Sequence, residues 1–577
     1  MSAAPARPTP APSLSAYARG LAGAAPDAPP PRGGHPLPDT ARPPEASPRR
    51  MPYKEARATV TRLLLSALTG PDPELAAAET DRALAATGVR EHLCFPTASA
   101  VEHDDPGTAR ALARRLVRDG TTVHGVAAGL GLLRGLGEPE DLPYLRALGR
   151  LDGVFPYAVA VLDELDRPAA ALLWLTHYPT SDRARPLVEA LAARDHAAVR
   201  ERLLGLASGD RRMGPDHARR VAESTGLADL LDRAAPEDTA LLGQALRLLA
   251  RTVTQGDHGV EILEYADARA LYGTVAERAR LLPPDLGHQA RLVTLAQDLH
   301  SGASHLLDWP AGRREAVLGL LLDAVREPTE TGRRPDWIRR TARRLREAPP
   351  ATPRDTPSAA PRLRIEVAVA DPAEPHPVET RVLVDGRPLL PEAFAQGRGD
   401  TPEPLLDGGA LRAATRPRDV RLGVTSCAEE CCGALYVTVR REGAHVVWSD
   451  WRRPGRPPAL PEYRFDADAY DAEIARAEHD HGWTWPARHT ARLLTAGLRD
   501  RPDLLTRWGL RQGWISTDHR DPDITVVTFT GPPPDGSGDP RQFLWHLPDD
   551  GRPPAERAAE ALRRMAETDP RTLAGGP

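Results

Sequence analysis

One lysine, Lys54, occurs in the whole 577-residue chain, and that scarcity excludes more chemistry than any motif adds. A P-loop needs a lysine to reach the nucleotide phosphates, and no G-x-x-x-x-G-K-[ST] run is present. Kinase and Schiff-base chemistry need one as well, and Lys54 belongs to neither kind of motif. Cysteine is almost as rare. Cys94, Cys427, Cys431 and Cys432 are too few to form a disulfide framework in a chain of this length. No apolar run reaches the roughly 18 residues a membrane helix needs. The N-terminus lacks a basic segment leading into an apolar one, and after Arg49-Arg50 the charges of Lys54, Glu55 and Arg57 break any apolar stretch. The chain is therefore expected to be cytoplasmic, with reduced thiols and no membrane partner. G-x-S-x-G and H-E-x-x-H are also absent.

A formal net charge of -5 and a pI near 6.4 argue against general coating of nucleic acid, which calls for a basic field. Charged residues at 27% and hydrophobic residues at 41% suit globular structure. Residues 1–50 are rich in Pro, Ala, Gly and Ser and carry little aliphatic periodicity. They read as a disordered tail that cannot bury enough surface to offset its ordering entropy, and Met51 is expected to be the physiological start. From 51 to 347 the period is helical. Ala109, Leu112, Ala113, Leu116 and Val117 form one apolar stripe, and Val123, Val126, Leu130 and Leu133 form the next. Leu242, Ala245, Leu246, Leu249 and Val253 repeat it, as do Leu318, Leu321, Leu322 and Val325. Short breaks such as Ala235-Pro-Glu-Asp set consecutive helices antiparallel. The proline-rich run 348–362 reads as a linker. Beyond it, over 363–570, the period changes to two at Leu363, Ile365, Val367 and Val369. An Asp385-Gly386 turn, a hairpin through Glu442-Gly443, helices near 467–480 and 484–499, strands at 511–516, 523–530 and 541–546, and a last helix over 554–567 predict an α+β domain. The expected fold is multidomain: an N-terminal all-α helical array and then this α+β domain.

Within the array, Asp141-Leu-Pro-Tyr-Leu-Arg-Ala-Leu-Gly149 and Val154-Phe-Pro-Tyr-Ala-Val-Ala-Val-Leu-Asp-Glu-Leu165 make a Leu-spaced helix, a brief turn and an Ala-rich partner. This unit, Glu138 to Leu175, resembles a HEAT repeat, and the stretch 120–325 resembles uncharacterised actinobacterial HEAT-repeat proteins. The resemblance implies an α-solenoid whose surface binds a protein or peptide. Trp448 and the run Tyr470-Asp-Ala-Glu473, Arg476-Ala-Glu478 and Trp483-Thr-Trp-Pro486 resemble other uncharacterised actinobacterial proteins and imply no activity.

Two clusters are candidate sites. Cys427, Cys431 and Cys432 lie at an expected turn between strands. With His445 as a fourth ligand they would hold a structural zinc ion, although the C-x₃-C-C spacing departs from paired C-x₂-C, and buried or incidental thiols are the alternative. Arg339, Arg340, Arg343 and Arg344 belong to an arginine stripe, 333–346, opposite the apolar face of Trp337, Ile338, Thr341, Ala342 and Leu345. That stripe is the candidate nucleic-acid contact, and a solvated face near a helix C-terminus is its plainer reading. His479-Asp480-His481 suits a helix end, and Asp466, Asp468, Asp471 and Glu473 suit a first helical turn. Gly129-Leu-Gly131-Leu-Leu-Arg-Gly135 suits close helix packing rather than a nucleotide loop. Non-catalytic recognition of a protein or peptide is the leading expectation. A nucleic-acid role for the arginines, and a zinc-binding or enzymatic role for the α+β domain, are the alternatives.

Overall fold

The computed structural model describes residues 12–24, 31–41, 51–70, 72–177, 184–206, 213–254, 260–348, 361–373, 378–394, 397–425, 433–453, 460–518, 521–533 and 539–574. It divides into two units: Met1–Gly256 with Glu264–Leu282, and Asp257–Leu263 with Pro283–Pro577.

The first unit is all-α among its described residues. Its helices are α1 (Leu14–Ala24), α2 (Tyr53–Leu68), α3 (Pro73–Ala86), α4 (Glu91–Ala98), α5 (Pro106–Asp119), α6 (Val123–Leu133), α7 (Leu142–Leu148), α8 (Phe155–Leu165), α9 (Arg167–His177), α10 (Arg185–Ala192), α11 (His196–Gly205), α12 (Pro215–Thr225), α13 (Leu227–Arg233) and α14 (Thr239–Thr252). A short α15 (Glu261–Glu264) falls at the division, and α16 (Ala268–Arg278) completes the set. Side-chain caps begin several of them. Asp72, Asp105, Asp195 and Asp238 each accept a backbone N–H from the first turn of the adjoining helix. The stripes read from the sequence are the buried faces: Ala109, Leu112, Ala113, Leu116 and Val117 on α5, and Leu242, Ala245, Leu246 and Leu249 on α14, are each 1% exposed or less, apart from Val117 at 2%. Packing runs in chain order. α5 lies on α6, α6 on α8, α8 on α9, α9 on α12, α12 on α14 and α14 on α16.

Part of the region expected to be a disordered tail is structured. α1 packs on α5 and α7, with Leu14, Ser15 and Ala18 fully buried. Ser15 Oγ donates to the Arg118 carbonyl at 2.7 Å, and Arg19 and Arg118 both stack on Tyr144. Farther on, His35 N–H donates to Arg150 O at 2.8 Å, and Asp152 N–H donates to His35 O at 2.8 Å. These residues hold too little apolar surface for a core of their own, in keeping with their composition. The structured pieces instead complete a core supplied by other helices.

The second unit opens with helices and continues into sheets. α17 (Leu286–Ser301), α18 (Arg313–Ala324) and α19 (Arg333–Glu347) precede β1 (Leu363–Val369), β2 (Val378–Val384), β3 (Arg387–Pro388), α20 (Leu389–Ala393), β4 (Arg398–Gly399), β5 (Arg418–Val424), β6 (Ala434–Glu442), β7 (His445–Arg452) and β8 (Tyr463–Asp466). Then come α21 (Ala467–His479), α22 (Pro486–Asp500), α23 (Asp503–Thr506), β9 (Arg511–Thr517), β10 (Ile524–Gly531), β11 (Arg541–Pro548) and α24 (Pro554–Glu567). All three sheets are antiparallel, in the orders β1-β2-β3, β4-β5-β6-β7-β8 and β11-β10-β9. The hairpin between β2 and β3 turns at Asp385 and Gly386, with φ of 52° and 80°, as the two-residue Asp-Gly signal predicts. The last sheet buries Ile515, Val527, Phe529 and Trp545 against Leu494, Leu498, Ala561 and Met565 of α22 and α24.

The proline-rich run at 348–362 therefore does not coincide with the division between units. α17 and α19 belong with the sheets beyond that run. The Trp337 indole donates to the Val369 carbonyl at 2.9 Å, and Arg381 of β2 donates to the Gln297 carbonyl of α17 at 2.9 Å. Apolar period records that a helix has a buried face and says nothing of what the face meets.

Candidate functional site

The arginine stripe of α19 is largely occupied by acceptors in its own unit. Arg334 pairs with Asp371 at 2.6 Å. Arg339 donates to the carbonyls of Pro328 and Glu330 at 2.8 and 3.1 Å and pairs with Asp336. Arg346 caps the end of α18 through the Leu322 and Val325 carbonyls at 2.8 and 3.2 Å. Arg344 holds Asp480 with two bonds of 3.0 and 2.9 Å. Burial lowers the pKa of Arg340, Asp336 opposes that, and the charges of Arg344 and Arg343 add to it. Arg343 is exposed and makes no ion pair among the described residues.

The zinc expectation joins His445 to a turn of three cysteines. Cys427, Cys431 and Cys432 lie outside the described residues, but the residues flanking that turn do not. Thr425 N–H donates to Gly433 O at 3.3 Å, beside the Val424–Ala434 end of the β5–β6 pair. His445 pairs with Glu442 at the other end of β6. Eight residues of strand, roughly 26 Å, separate Ala434 from Glu442. Among the described residues, no group of three or more His, Cys, Asp or Glu is placed to hold a metal ion. Cys94 is buried, and burial, with the nearby Glu91 charge, pushes its thiol up to about 12, so it is inert as a nucleophile.

A charged cleft of about 340 Å³ lies within the second unit, lined by α17, α19, β1 and α21. Three amphipathic helices position it. α19 buries Trp337, Ile338, Thr341, Ala342 and Leu345 and turns Arg343 and Arg344 toward the cleft. α21, capped by Asp466 through Ala469 N–H at 2.9 Å, buries Tyr470, Ile474 and Ala477 and supplies Arg476 and Asp480. α17 supplies His300 and Ser301.

Most charges in the cleft are matched. His300 Nε2 lies 3.0 Å from Glu366 Oε1. Burial raises the Glu366 pKa, but the bond and charge of His300, with help from Arg364 and Ser301, bring it down to about 2. Arg476 pairs with Glu473 at 2.7 Å. Burial raises the Asp480 pKa too, and the Arg344 bonds, the Gly482 N–H and Arg476 outweigh it, so the group stays ionised. Behind the cleft, Arg381 pairs with Glu379 at 2.7 Å and donates to Ser301 Oγ at 3.3 Å.

β1 is an edge strand of its sheet. Asp385 N–H donates to Arg362 O at 2.9 Å, so the alternation of antiparallel ladders turns the backbone of residues 364, 366 and 368 toward β2 and that of 363, 365, 367 and 369 away from it. Side chains take up part of this outward row. Ile365 N–H donates to Glu473 Oε1 at 2.7 Å, Arg476 donates to Ile365 O at 2.5 Å, and Trp337 donates to Val369 O. Between them the N–H and C=O of Val367 have no partner among the described residues, although Val367 is 8% exposed and lines the cleft.

Arg343, Arg344, Glu473 and Asp480 stand out in the sequence, but as a stripe, a helix turn and a helix end. His300, Arg364, Glu366 and the open backbone of Val367 carry no sequence signal, because the cleft joins segments up to 185 residues apart, from Gln297 to Gly482. Comparison with protein-family models, curated proteins and solved structures returns no match for this chain.

Proposed function

We propose that this chain is a non-catalytic recognition or scaffold protein, and that its helical first unit is an α-solenoid-like array, HEAT-like in its Glu138–Leu175 unit, that holds a protein or peptide partner. The observation that carries this reading is packing in chain order from α5 to α16, which is how an array built by stacking neighbour on neighbour assembles. Ion pairs between segments of the first unit support it: Arg114 of α5 donates to Asp141 at 2.9 Å, and Arg220 of α12 pairs with Asp163 of α8. Such arrays present long surfaces suited to extended partners. Leu65 and Leu75, 44% and 58% exposed on α2 and α3, are apolar positions on that surface open to a partner.

The test is affinity capture from the native host with the full chain, alongside Leu65→Arg and Leu75→Arg variants. A retained protein that both variants lose supports the reading. A recovery no different from a bare-matrix control, or one the variants leave intact, counts against it. A nucleic-acid role through Arg339, Arg340, Arg343 and Arg344 is the weaker reading, because Arg339 and Arg344 are already held by internal acceptors.

A further inference from the structure

We infer that the cleft between α19, α21 and the edge of β1 binds the carboxyl-terminal residue of an extended peptide, with the Val367 backbone pairing its main chain and Arg343 taking its carboxylate. The site lies in the second unit and is separate from the array surface proposed above.

Two independent features point to this ligand. The first is the open rung at Val367. An exposed strand edge recruits extended peptides through main-chain hydrogen bonds, and a buried amide without a partner is unfavourable until one is supplied. Here the edge is closed on either side, at Ile365 by Glu473 and Arg476 and at Val369 by Trp337. One rung remains, so a long added strand does not fit, and the end of a chain does. The second feature is charge. Arg344, Arg364, Arg476, Glu366 and Asp480 neutralise one another in the cleft or through Glu473. Arg343 and Glu347 are the lining charged groups without an ion pair among the described residues, and of the two Arg343 is the one that attracts an anion. A guanidinium recognises a carboxylate with paired N–H donors. A cleft of about 340 Å³ is at the small end of ligand sites and suits a few residues rather than a folded domain.

The test uses the full chain and N-acetyl-trialanine as probe, measured by isothermal titration calorimetry. The expected result is saturable binding of the free acid, at least about tenfold weaker binding of the C-terminal amide, and a similar loss when the terminal amide nitrogen is methylated. Arg343→Gln, at an exposed position, should weaken the acid about tenfold and leave the amide unchanged. Three results would overturn the inference: no binding of the acid at about 10 mM, equal binding of acid and amide, or an Arg343→Gln variant that binds as the parent does. Inorganic phosphate that binds as tightly as the peptide, together with an N-methyl peptide of undiminished affinity, would also overturn it and leave a simple anion site.

Discussion

At the scale of the residue, His177 shows how burial controls charge in the first unit. Its ring is 3% exposed, stacks on Phe155 with centroids 4.0 Å apart, and lies 2.7 Å from the Gly149 carbonyl through Nε2. Burial lowers its pKa from 6.5 to about 4, against the pull of the Gly149 and Gly33 backbone. Between these values the unfolded chain binds a proton that the native ring refuses, so stability rises with pH through this window and is lost on acidification. The loss should reach about 3 kcal/mol below pH 4. Urea unfolding at pH 7 and pH 4.5 would measure it, and His177→Phe should flatten the dependence. A variant with the parent's pH slope would remove His177 as the cause.

At the scale of the element, α6 shows what spacing reveals and what it leaves out. The glycines at 129 and 131 resemble a nucleotide loop on paper, but the helical stripe around them argues for packing, and both lie at close helix contacts. A Cβ on Gly131 would fall 2.4 Å from the Phe95 carbonyl oxygen and 2.8 Å from Ala98 Cβ of α4. Backbone cannot yield as a flexible side chain does, so Gly131→Ala should cost the first unit about 2 kcal/mol despite alanine's higher helix propensity. A thermal melt that shows a neutral or stabilising effect would contradict this contact. The same logic shows how far the sequence could be read. Strands with strict alternation, Asp-Gly turns and capped helices were legible because each is a local signal. α1 and the segment around His35 were not, since their few apolar atoms matter only against α5, α7 and the 149–152 turn. The cleft was half legible. Its arginines stood out as a stripe, while the open rung at Val367 depends on strand pairing that no single segment encodes.

At the scale of the whole molecule, the chain divides into two compact units, the second running from Pro283 apart from the short stretch Asp257–Leu263. Calorimetry of the full chain should therefore show two transitions, with Gly131→Ala and His177→Phe moving only one of them. A single transition shifted as a whole by either change would show that the two units unfold as one. By itself the sequence determined the secondary structure of most described segments, the all-α and α+β character of the two regions, and the lack of a P-loop motif. Periodicity, caps and the supply of a residue type are properties of a chain read in order. Tertiary structure alone decided that α17 and α19 join the sheets and that Asp480 meets Arg344 across 136 positions. Register and burial are fixed by which distant surfaces exclude water from each other, and a linear pattern records only that such a surface exists.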